Sequence, residues 1–258
     1  MSLRQTLKKL AASELLVTPY LEAWLVQNPD HWYSPETAQQ IADVMVTQPR
    51  DRSASFSASA AGTCPRRQEF QYLGVKQAGS LDTRLSMIFV DGKWRHMRWQ
   101  AVLLDAGILD SIEVPLRDKR LRVKGSMDGM GETNAHPYYG DGVDFGFELK
   151  GTNDFAYRGS KYSGPKSTHL AQVDRYFLVS GLEMFSLLYE DKNSQQWQEW
   201  VIQRDETRVK QARRDLVELN TAIDTKTLHP IQKECLTREG DAKYCPYVDT
   251  CLNTGSWI

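Results

Sequence analysis

The segment from Val143 to Lys150 constrains the fold more than any other part of this 258-residue sequence. Apolar residues (Val143, Phe145, Phe147, Leu149) alternate with small or charged ones (Asp144, Gly146, Glu148, Lys150). A period of two is the pattern of a β-strand that buries one face in a core. The chain must therefore build a sheet around this strand, with Glu148 and Lys150 together on its other face.

The neighbouring segments alternate between helical and strand periodicity. In chain order we expect a helix over 92–107, a strand through Leu121, Val123 and Met127 that ends at Asp128, the strand 143–150, a polar loop over 151–167, a helix from Thr168, strands over 184–190 and 197–203, and an amphipathic helix over 209–223. This order predicts an α/β domain, a mixed sheet flanked by helices.

Residues 1–56 are predicted to form a helical N-terminal extension, and residues 57–258 the main domain. Apolar residues recur at helical spacing over 3–26, with a break at Pro19. Ser34 and the proline after it predict the start of a second helix. The serine- and alanine-rich stretch 48–61 is expected to be a linker.

The charge balance of the chain predicts that any DNA binding depends on local basic patches. The net charge is −1, so the chain as a whole does not attract polyanions. Local candidates for DNA contacts are Arg66 and Arg67, and Arg122 and Lys124 within the basic run 117–124. Because there is no secretory signal and no apolar stretch near the ~18 residues of a membrane span, we expect a cytoplasmic protein without membrane contact.

Glu148 and Lys150 suit phosphodiester hydrolysis. A carboxylate can ligate a divalent cation that polarises a phosphoryl oxygen and acidifies a bound water, and a neighbouring ammonium can position that water or stabilise developing charge. Mg²⁺ is usually held by one or two carboxylates, and Asp128, which ends the preceding strand, is the expected second one. A solvent-facing Glu–Lys ion pair is the alternative interpretation.

Two further groups extend this candidate site. Gln172 and Tyr176 are four residues apart and therefore share a helical face, where they could hold the lysine, the water or a phosphate; an ordinary polar helix surface is the alternative. His96 lies within the helix 92–107. As a third ligand it would favour Mn²⁺, although a lone histidine is usually a satisfied or exposed residue.

The four cysteines indicate a metal centre. Four thiols in an intracellular chain point to metal rather than to disulfides, and none of the short Cys-x₂₋₄-Cys pairs of zinc sites is present. Iron–sulfur clusters accept looser spacing and often have a proline beside a ligand. The ligands would be Cys64, Cys235, Cys245 and Cys251, of which Cys64 and Cys245 precede prolines. Unrelated buried thiols are the alternative.

Taken in order, these residues resemble a known pattern. The elements are Cys64-Pro65-Arg66-Arg67, His96, Gly125-Ser126-Met127-Asp128-Gly129, Glu148-Leu149-Lys150, Gln172-x-x-x-Tyr176 and three C-terminal cysteines. The set resembles the CRISPR-associated RecB-type exonucleases and their phage-borne relatives, within the PD-(D/E)xK nuclease superfamily. The resemblance spans about Ser57 to Cys251, and each motif alone is weak.

The resemblance implies a restriction-endonuclease-like core, a 4Fe–4S cluster that binds the cysteine-rich tail, and Mg²⁺- or Mn²⁺-dependent exonuclease cleavage of single-stranded DNA or DNA ends. By position it makes His96, Asp128 and Glu148 the metal ligands, Lys150 the catalytic lysine, and Gln172 and Tyr176 its support. Many relatives have a tighter cysteine pair, and the extension 1–56 has no counterpart that we can match.

Three functions follow as hypotheses. The first is an exonuclease in phage or host DNA replication, recombination or degradation, in a bacterial or infected cell, with recombination or replication proteins as partners and homo-oligomerisation left open. The second is a CRISPR adaptation nuclease that trims spacer precursors. The third is a non-catalytic iron–sulfur DNA-binding module, against which the convergence of acids and a lysine argues.

Overall fold

The computed structural model describes residues 13–47, 54–77 and 83–257. The predicted helical spacing over residues 3–12 and the first part of the predicted linker, residues 48–53, lie outside this range. None of the helices described in it is long and apolar enough to cross a membrane.

The described chain contains nine α-helices and six strands. The helices are α1 (Thr18–Gln27), α2 (Pro35–Val46), α3 (Pro65–Tyr72), α4 (Thr83–Asp105), α5 (Asp154–Ser163), α6 (Ser167–Ser180), α7 (Glu206–Asp224), α8 (Lys233–Thr237) and α9 (Val248–Asn253). The strands are β1 (Phe56–Ser57), β2 (Ser111–Asp118), β3 (Val123–Glu132), β4 (Asp144–Thr152), β5 (Met184–Asp191) and β6 (Trp197–Gln203). Short 3₁₀ turns occupy Ala58–Ala60 and Gly240–Tyr244.

Long, strongly periodic elements match their predictions. Strands β4 to β6 and helices α6 and α7 lie where they were expected, whereas β3 runs on to Glu132 instead of ending at Asp128. The hydroxyl of Ser34 caps α2 by accepting from Thr37 N at 3.1 Å. The prediction of a mixed sheet flanked by helices is confirmed.

Three short elements were not predicted. The expected polar loop 151–167 contains helix α5, which Asn153 caps by accepting from Ala156 N at 2.8 Å. Part of the expected linker 48–61 forms strand β1, and the stretch Ser111–Asp118 forms β2. Helix α4 also begins at Thr83 rather than near Gly92, and it runs through that glycine.

The sheet opens between β3 and β4. Strand β2 pairs antiparallel with β3 along one edge, and β1 and β4 share the other edge. On that shared edge β1 pairs with residues 123–124 and β4 with residues 129–132. Residues 125–128 of β3 have no strand partner there, because β4 from Glu148 onward pairs only with β5. This opening is called the splay below.

Helices cover both faces of the sheet. On one face, apolar residues of α6 and α7 pack against β3 and β5, including Val173, Phe177 and Leu216. On the other face, α4 and the segment around α1 pack against the apolar residues of β4. Strand β4 therefore turns Phe145, Phe147 and Leu149 towards α1 and α4, whereas Glu148 meets residues of α6.

Beside the splay, the side chains of β3 change from one face of the sheet to the other. Met127 belongs to the core on the α6 face, whereas a Cβ on Gly129 would lie 2.5 Å from Leu109 in the opposite core. Glu113 lies between Ile112 and Val114, which pair with Gly129 and Met127, and it has a φ of +49°, a region that non-glycine residues rarely occupy. The expected alternation along β3 therefore holds up to Met127 and reverses at Asp128.

A buried carboxylate ties the N-terminal segment to the sheet. Glu199 on β6 accepts hydrogen bonds from Leu16 N, Val17 N and Thr18 N at 3.0, 2.9 and 2.7 Å, and from the hydroxyls of Thr18 and Ser186, both at 2.8 Å. A negative charge at a helix N-terminus satisfies free N–H groups and complements the helix dipole. Residues that were predicted to lie in a separate extension thus pack onto the main core.

Replacing Glu199 with alanine should weaken the docking of α1. Three backbone donors and two hydroxyls would lose their acceptor, so we expect the free energy of unfolding to fall by about 2–4 kcal/mol in urea titrations. Glu218→Ala, at an exposed position on α7, is the matched control and should stay within about 0.5 kcal/mol of the parent. Equal stability of the two variants would contradict this assignment.

Candidate functional site

Four side chains form a hydrogen-bonded group on the α6 side of β4. Lys150 Nζ donates to Glu148 Oε1 at 2.5 Å and to Gln172 Oε1 at 2.9 Å. Gln172 Nε2 donates to Glu148 Oε1 at 2.7 Å and to the Tyr176 hydroxyl at 2.5 Å. The structure thus brings together the strand pair and the helix pair that the sequence singled out. Because Glu148 is only 3% exposed, these contacts are shielded from water.

Asp128 and His96 complete the group across the splay. His96 Nδ1 on α4 lies 3.1 Å from Asp128 Oδ1. The other carboxylate oxygen of Asp128 accepts from Leu149 N at 2.7 Å, directly between Glu148 and Lys150 on β4. All six predicted site residues therefore meet at one place, where β3 and β4 separate.

The site holds a concentrated set of charges. The negative charge of Asp128 raises the pKa of His96 to about 9, although burial acts in the opposite direction. Burial, together with the charge of Asp128, raises the pKa of Glu148 to about 7. Burial disfavours the charged form of Lys150, but Glu148 outweighs it and raises the pKa of the ammonium. Two buried acids are here balanced by two cationic side chains.

Side chains replace the strand–strand hydrogen bonds that the splay removes. The Tyr176 hydroxyl donates to Ser126 O at 2.8 Å and lies 3.2 Å from Glu148 Oε2. Gln100 Nε2 donates to Asp128 O at 2.8 Å, and Asp128 itself takes the Leu149 N–H. Buried backbone groups need partners, so these contacts hold the opening in place.

Sequence reasoning missed a second layer of residues beside the site. Glu113 accepts from Gln100 Nε2 at 3.1 Å and from the Ser126 hydroxyl at 3.2 Å. Glu113 thus holds Gln100, which also donates to Asp128 O, and Ser126, which lies two residues before Asp128. No local pattern distinguishes Glu113, because its role depends on the register of β2 against β3.

His169 is the other residue that was missed, and the spacing of α6 could have indicated it. It precedes Gln172 by three residues and therefore continues the face that carries Gln172 and Tyr176. Its Nδ1 lies 2.6 Å from the Tyr189 hydroxyl, which also accepts from Lys166 N at 2.9 Å. Burial, together with the positive charge of Lys150, lowers the pKa of His169 to about 3.

The four cysteines surround one cavity. Cys64 precedes α3, Cys235 lies in α8, Cys245 follows the second 3₁₀ turn and Cys251 lies in α9. All four line a cavity of about 340 Å³ and none forms a disulfide. Burial raises the pKa of the thiols of Cys64 and Cys251, and the neighbouring thiols add to both shifts.

Helix α3 fastens the C-terminal tail beside this cavity. Arg66 donates to His229 O, Thr254 O and Gly255 O at 2.7, 2.9 and 2.5 Å. Glu69 accepts from His229 N at 3.0 Å and also contacts the His229 ring. Arg66 is 3% exposed and both of its Nη groups donate to the tail, so its predicted contact with DNA is corrected here to a structural role.

The other three predicted DNA-contacting residues have different surroundings. Arg67 lines the cysteine cavity. Arg122 forms an ion pair with Asp224 at 2.7 Å and lies over the Tyr72 ring, 5.9 Å from its centroid. Lys124 is half-buried on β3, next to β1. The structure thus does not gather them into one patch.

Within the described ranges, no three His, Cys, Asp or Glu side chains are placed to hold one metal ion. In the acidic site, His96 and Lys150 are paired with the two carboxylates. The four thiols stand around a cavity rather than converging on a point.

No protein-family model and no curated protein matches the sequence. Among solved structures, the fold is similar to that of SSO0001 (TM-score 0.51, 17% identity, 83% of this chain and 93% of that one). Weaker similarities are to LHK-Exo in complex with dAMP (TM-score 0.47, 17% identity, 67% and 92%) and to the alkaline exonuclease LHK-Exo from Laribacter hongkongensis (TM-score 0.47, 15% identity, 67% and 90%). The first similarity concerns the fold alone, and the other two carry no functional argument.

The neutral state of His169 predicts how stability depends on pH. Its pKa lies below the usual 6.5 in the folded protein, so between these values the unfolded chain binds a proton that the folded one does not. Stability contributed by this group is present above pH 6.5 and is lost as the pH falls. From pH 7 to pH 5 the parent should therefore lose about 1–2 kcal/mol more than His169→Asn, allowing for partial exposure of the ring.

Urea unfolding of both proteins at the two pH values measures this difference. The comparison cancels the titration of every other group that the two proteins share. Parallel losses of stability would mean that His169 takes up its proton in the folded protein as readily as in the unfolded chain.

Proposed function

We propose that this protein is a metal-dependent nuclease that hydrolyses phosphodiester bonds in DNA. The observation that carries the proposal is the convergence of Asp128, Glu148 and Lys150 at the splay, with Gln172 and Tyr176 holding the last two in place. A solvated Glu–Lys pair, the alternative drawn from the sequence, does not account for a carboxylate that is 3% exposed and surrounded by polar partners.

The donors present fit a divalent cation. Two buried carboxylates and an imidazole are the ligands that Mn²⁺ accepts, and the carboxylates alone suit Mg²⁺. Burial and the negative charge of Asp128 raise the pKa of Glu148, and a bound cation would favour its ionised form. His96, Asp128 and Glu148 would hold the ion after releasing their present partners. When bound, the ion supplies a Lewis acid and a water of lowered pKa.

The remaining residues position groups and balance charge. Gln172 accepts from Lys150 Nζ and donates to Glu148, so it fixes the distance between ammonium and carboxylate. Lys150 can then stabilise the negative charge that develops on phosphoryl oxygens, or orient the attacking water. Tyr176 fixes Gln172 through its hydroxyl, which is itself anchored on Ser126 O.

The finer parts of the proposal concern the substrate and the setting. We propose exonuclease action on single-stranded DNA or DNA ends in replication, recombination or degradation, within a restriction-endonuclease-like core. Support comes from the ordered motif set along the chain. Trimming of spacer precursors in CRISPR adaptation would use the same chemistry.

Loss of Asp128 or Lys150 should abolish cleavage. We expect Asp128→Ala and Lys150→Ala to reduce digestion of end-labelled single-stranded DNA at least about 100-fold with Mg²⁺ or Mn²⁺, because each removes charge at the reacting phosphate. Lys210→Ala, an exposed lysine on α7, is the matched control and should cleave like the parent. EDTA should stop the parent enzyme.

Circular dichroism of each variant shows whether folding is retained, since Asp128 also accepts from Leu149 N. The end label gives the polarity and the preference for single strands in the same gels. Folded variants that digest DNA at the parental rate would refute the site assignment.

We further propose that the cysteine cavity holds a 4Fe–4S cluster. The four cysteines line one cavity without forming a disulfide, and the sequence has none of the short Cys-x₂₋₄-Cys pairs of zinc sites. A cluster takes four thiolate ligands from Cys64, Cys235, Cys245 and Cys251 and would fix the tail to α3. Because ligation requires thiolates, it would also offset the raised pKa of Cys64 and Cys251.

Purified protein should be brown and contain iron and acid-labile sulfide in equal amounts. Cys245→Ser should lose the colour and lower the melting temperature, because metal binding contributes to folding stability. The parent treated with a chelator under the same conditions is the control for stability. Colourless protein with stoichiometric zinc would exclude the cluster.

A further inference from the structure

Helix α5 has one buried face and one face that the fold leaves open. Tyr157 and Ser160 are buried, and Tyr157 packs with Leu187 and Tyr189 of β5. On the outward side, Phe155 is 88% exposed and Tyr162 is 94% exposed. These two are seven residues apart, which is two helical turns, so both rings stand on the same side about 10 Å apart along the axis.

Cationic side chains lie between the two rings. Arg158 and Lys161 are both exposed. Arg158 reaches back to Asp154 at 2.7 Å, a surface ion pair that contributes little to stability. Lys161 extends over the Tyr157 ring, 4.9 Å from its centroid. Exposed aromatic rings interleaved with cations suit a chain of bases joined by phosphates, and they suit an apolar protein partner less well.

Helix α5 is connected to the candidate site by the elements that flank it in the chain and by Tyr189. The helix begins two residues after β4, which carries Lys150, and three residues separate its end from α6, which carries Gln172. Its packing partner Tyr189 pairs with Lys150 in the β4–β5 register and contacts His169 at the base of α6. Tyr189 therefore connects the buried side of α5 with Lys150 and His169, while Ser194 and Gln196 of the turn between β5 and β6 line a cavity with Arg158, Lys161 and Tyr162.

We propose that Phe155, Arg158, Lys161 and Tyr162 form a stacking platform for the single-stranded DNA on which the proposed nuclease acts. This inference rests on the proposed nuclease function and names the substrate form that the site takes. The rings would stack on unpaired bases, which a duplex does not offer, and the cations would follow the phosphates. Binding through the platform is independent of base identity.

Fluorescence anisotropy with labelled oligothymidylate, in EDTA to prevent cleavage, measures the predicted contact. Phe155→Ala/Tyr162→Ala should weaken binding at least about tenfold, because base stacking on aromatic side chains is lost. Its melting temperature should match that of the parent, since both rings are exposed. Trp32→Ala removes an equally exposed ring, 90% accessible, from the segment between α1 and α2 and should bind like the parent.

An abasic strand of the same length separates stacking from charge. With phosphates but no bases, the parent and Phe155→Ala/Tyr162→Ala should bind equally. Arg158→Gln/Lys161→Gln should instead weaken both strands and lower the slope of log Kd against log salt concentration by about one.

The outcomes that overturn the platform differ from those that overturn the nuclease. Equal affinity of the parent and Phe155→Ala/Tyr162→Ala for oligothymidylate removes the platform, whether or not the parent cleaves DNA. A parent that cleaves nothing but shows the predicted binding differences loses the nuclease assignment and keeps the platform. If sedimentation shows that the double substitution dissociates a homo-oligomer while DNA affinity is unchanged, the face serves self-association and the proposal is wrong.

Discussion

The hydrogen bond from Leu149 N to the Asp128 carboxylate is the contact on which the site depends. Two adjacent strands cannot separate inside a core without leaving N–H and C=O groups unpaired, which is costly in a buried setting. Here the Asp128 side chain accepts from Leu149 N at 2.7 Å, in place of a backbone carbonyl of β3. Tyr176 and Gln100 take the carbonyls of Ser126 and Asp128. Residues proposed for chemistry thus also keep the sheet open, so binding and stability are coupled at the same atoms.

This coupling explains why the site is assembled from both faces of the sheet. Helix α4 supplies His96 and Gln100 from one side, and α6 supplies Gln172 and Tyr176 from the other. His96 contacts Asp128 and Gln172 contacts Glu148 where β3 and β4 part, whereas the apolar residues of the two helices belong to different cores. The reversal of faces at Glu113 and Asp128 lets one strand serve both layers. A regular sheet would have kept these side chains apart.

The sequence predicts the parts of this arrangement that local periodicity determines. Alternation identified β4 with Glu148 and Lys150, and four-residue spacing placed Gln172 beside Tyr176. Helix α5 was missed because its glycine and serines lower helical propensity, and it is stabilised by packing of Tyr157 on β5. No local pattern could predict the roles of Glu113 and Arg66, because their partners are distant in sequence. Glu113 accepts from Gln100 and Ser126, and Arg66 donates to carbonyls of the C-terminal tail. The positive charge of Arg66 suggested a contact with DNA, whereas its burial indicates a structural role.

The cysteine cavity has a consequence for how the chain acquires its structure during synthesis. Its walls come from Cys64 and from residues as late as Cys251, and the Nη groups of Arg66 donate to carbonyls at 229, 254 and 255. Contacts at such sequence separation form slowly and cannot form before their distant members have left the ribosome. On the nascent chain, Arg66 and Glu69 of α3 therefore remain without their tail partners at a stage when strands β2 to β6 have all been synthesised. The tail can close over α3 only after residues 254 and 255 have left the ribosome.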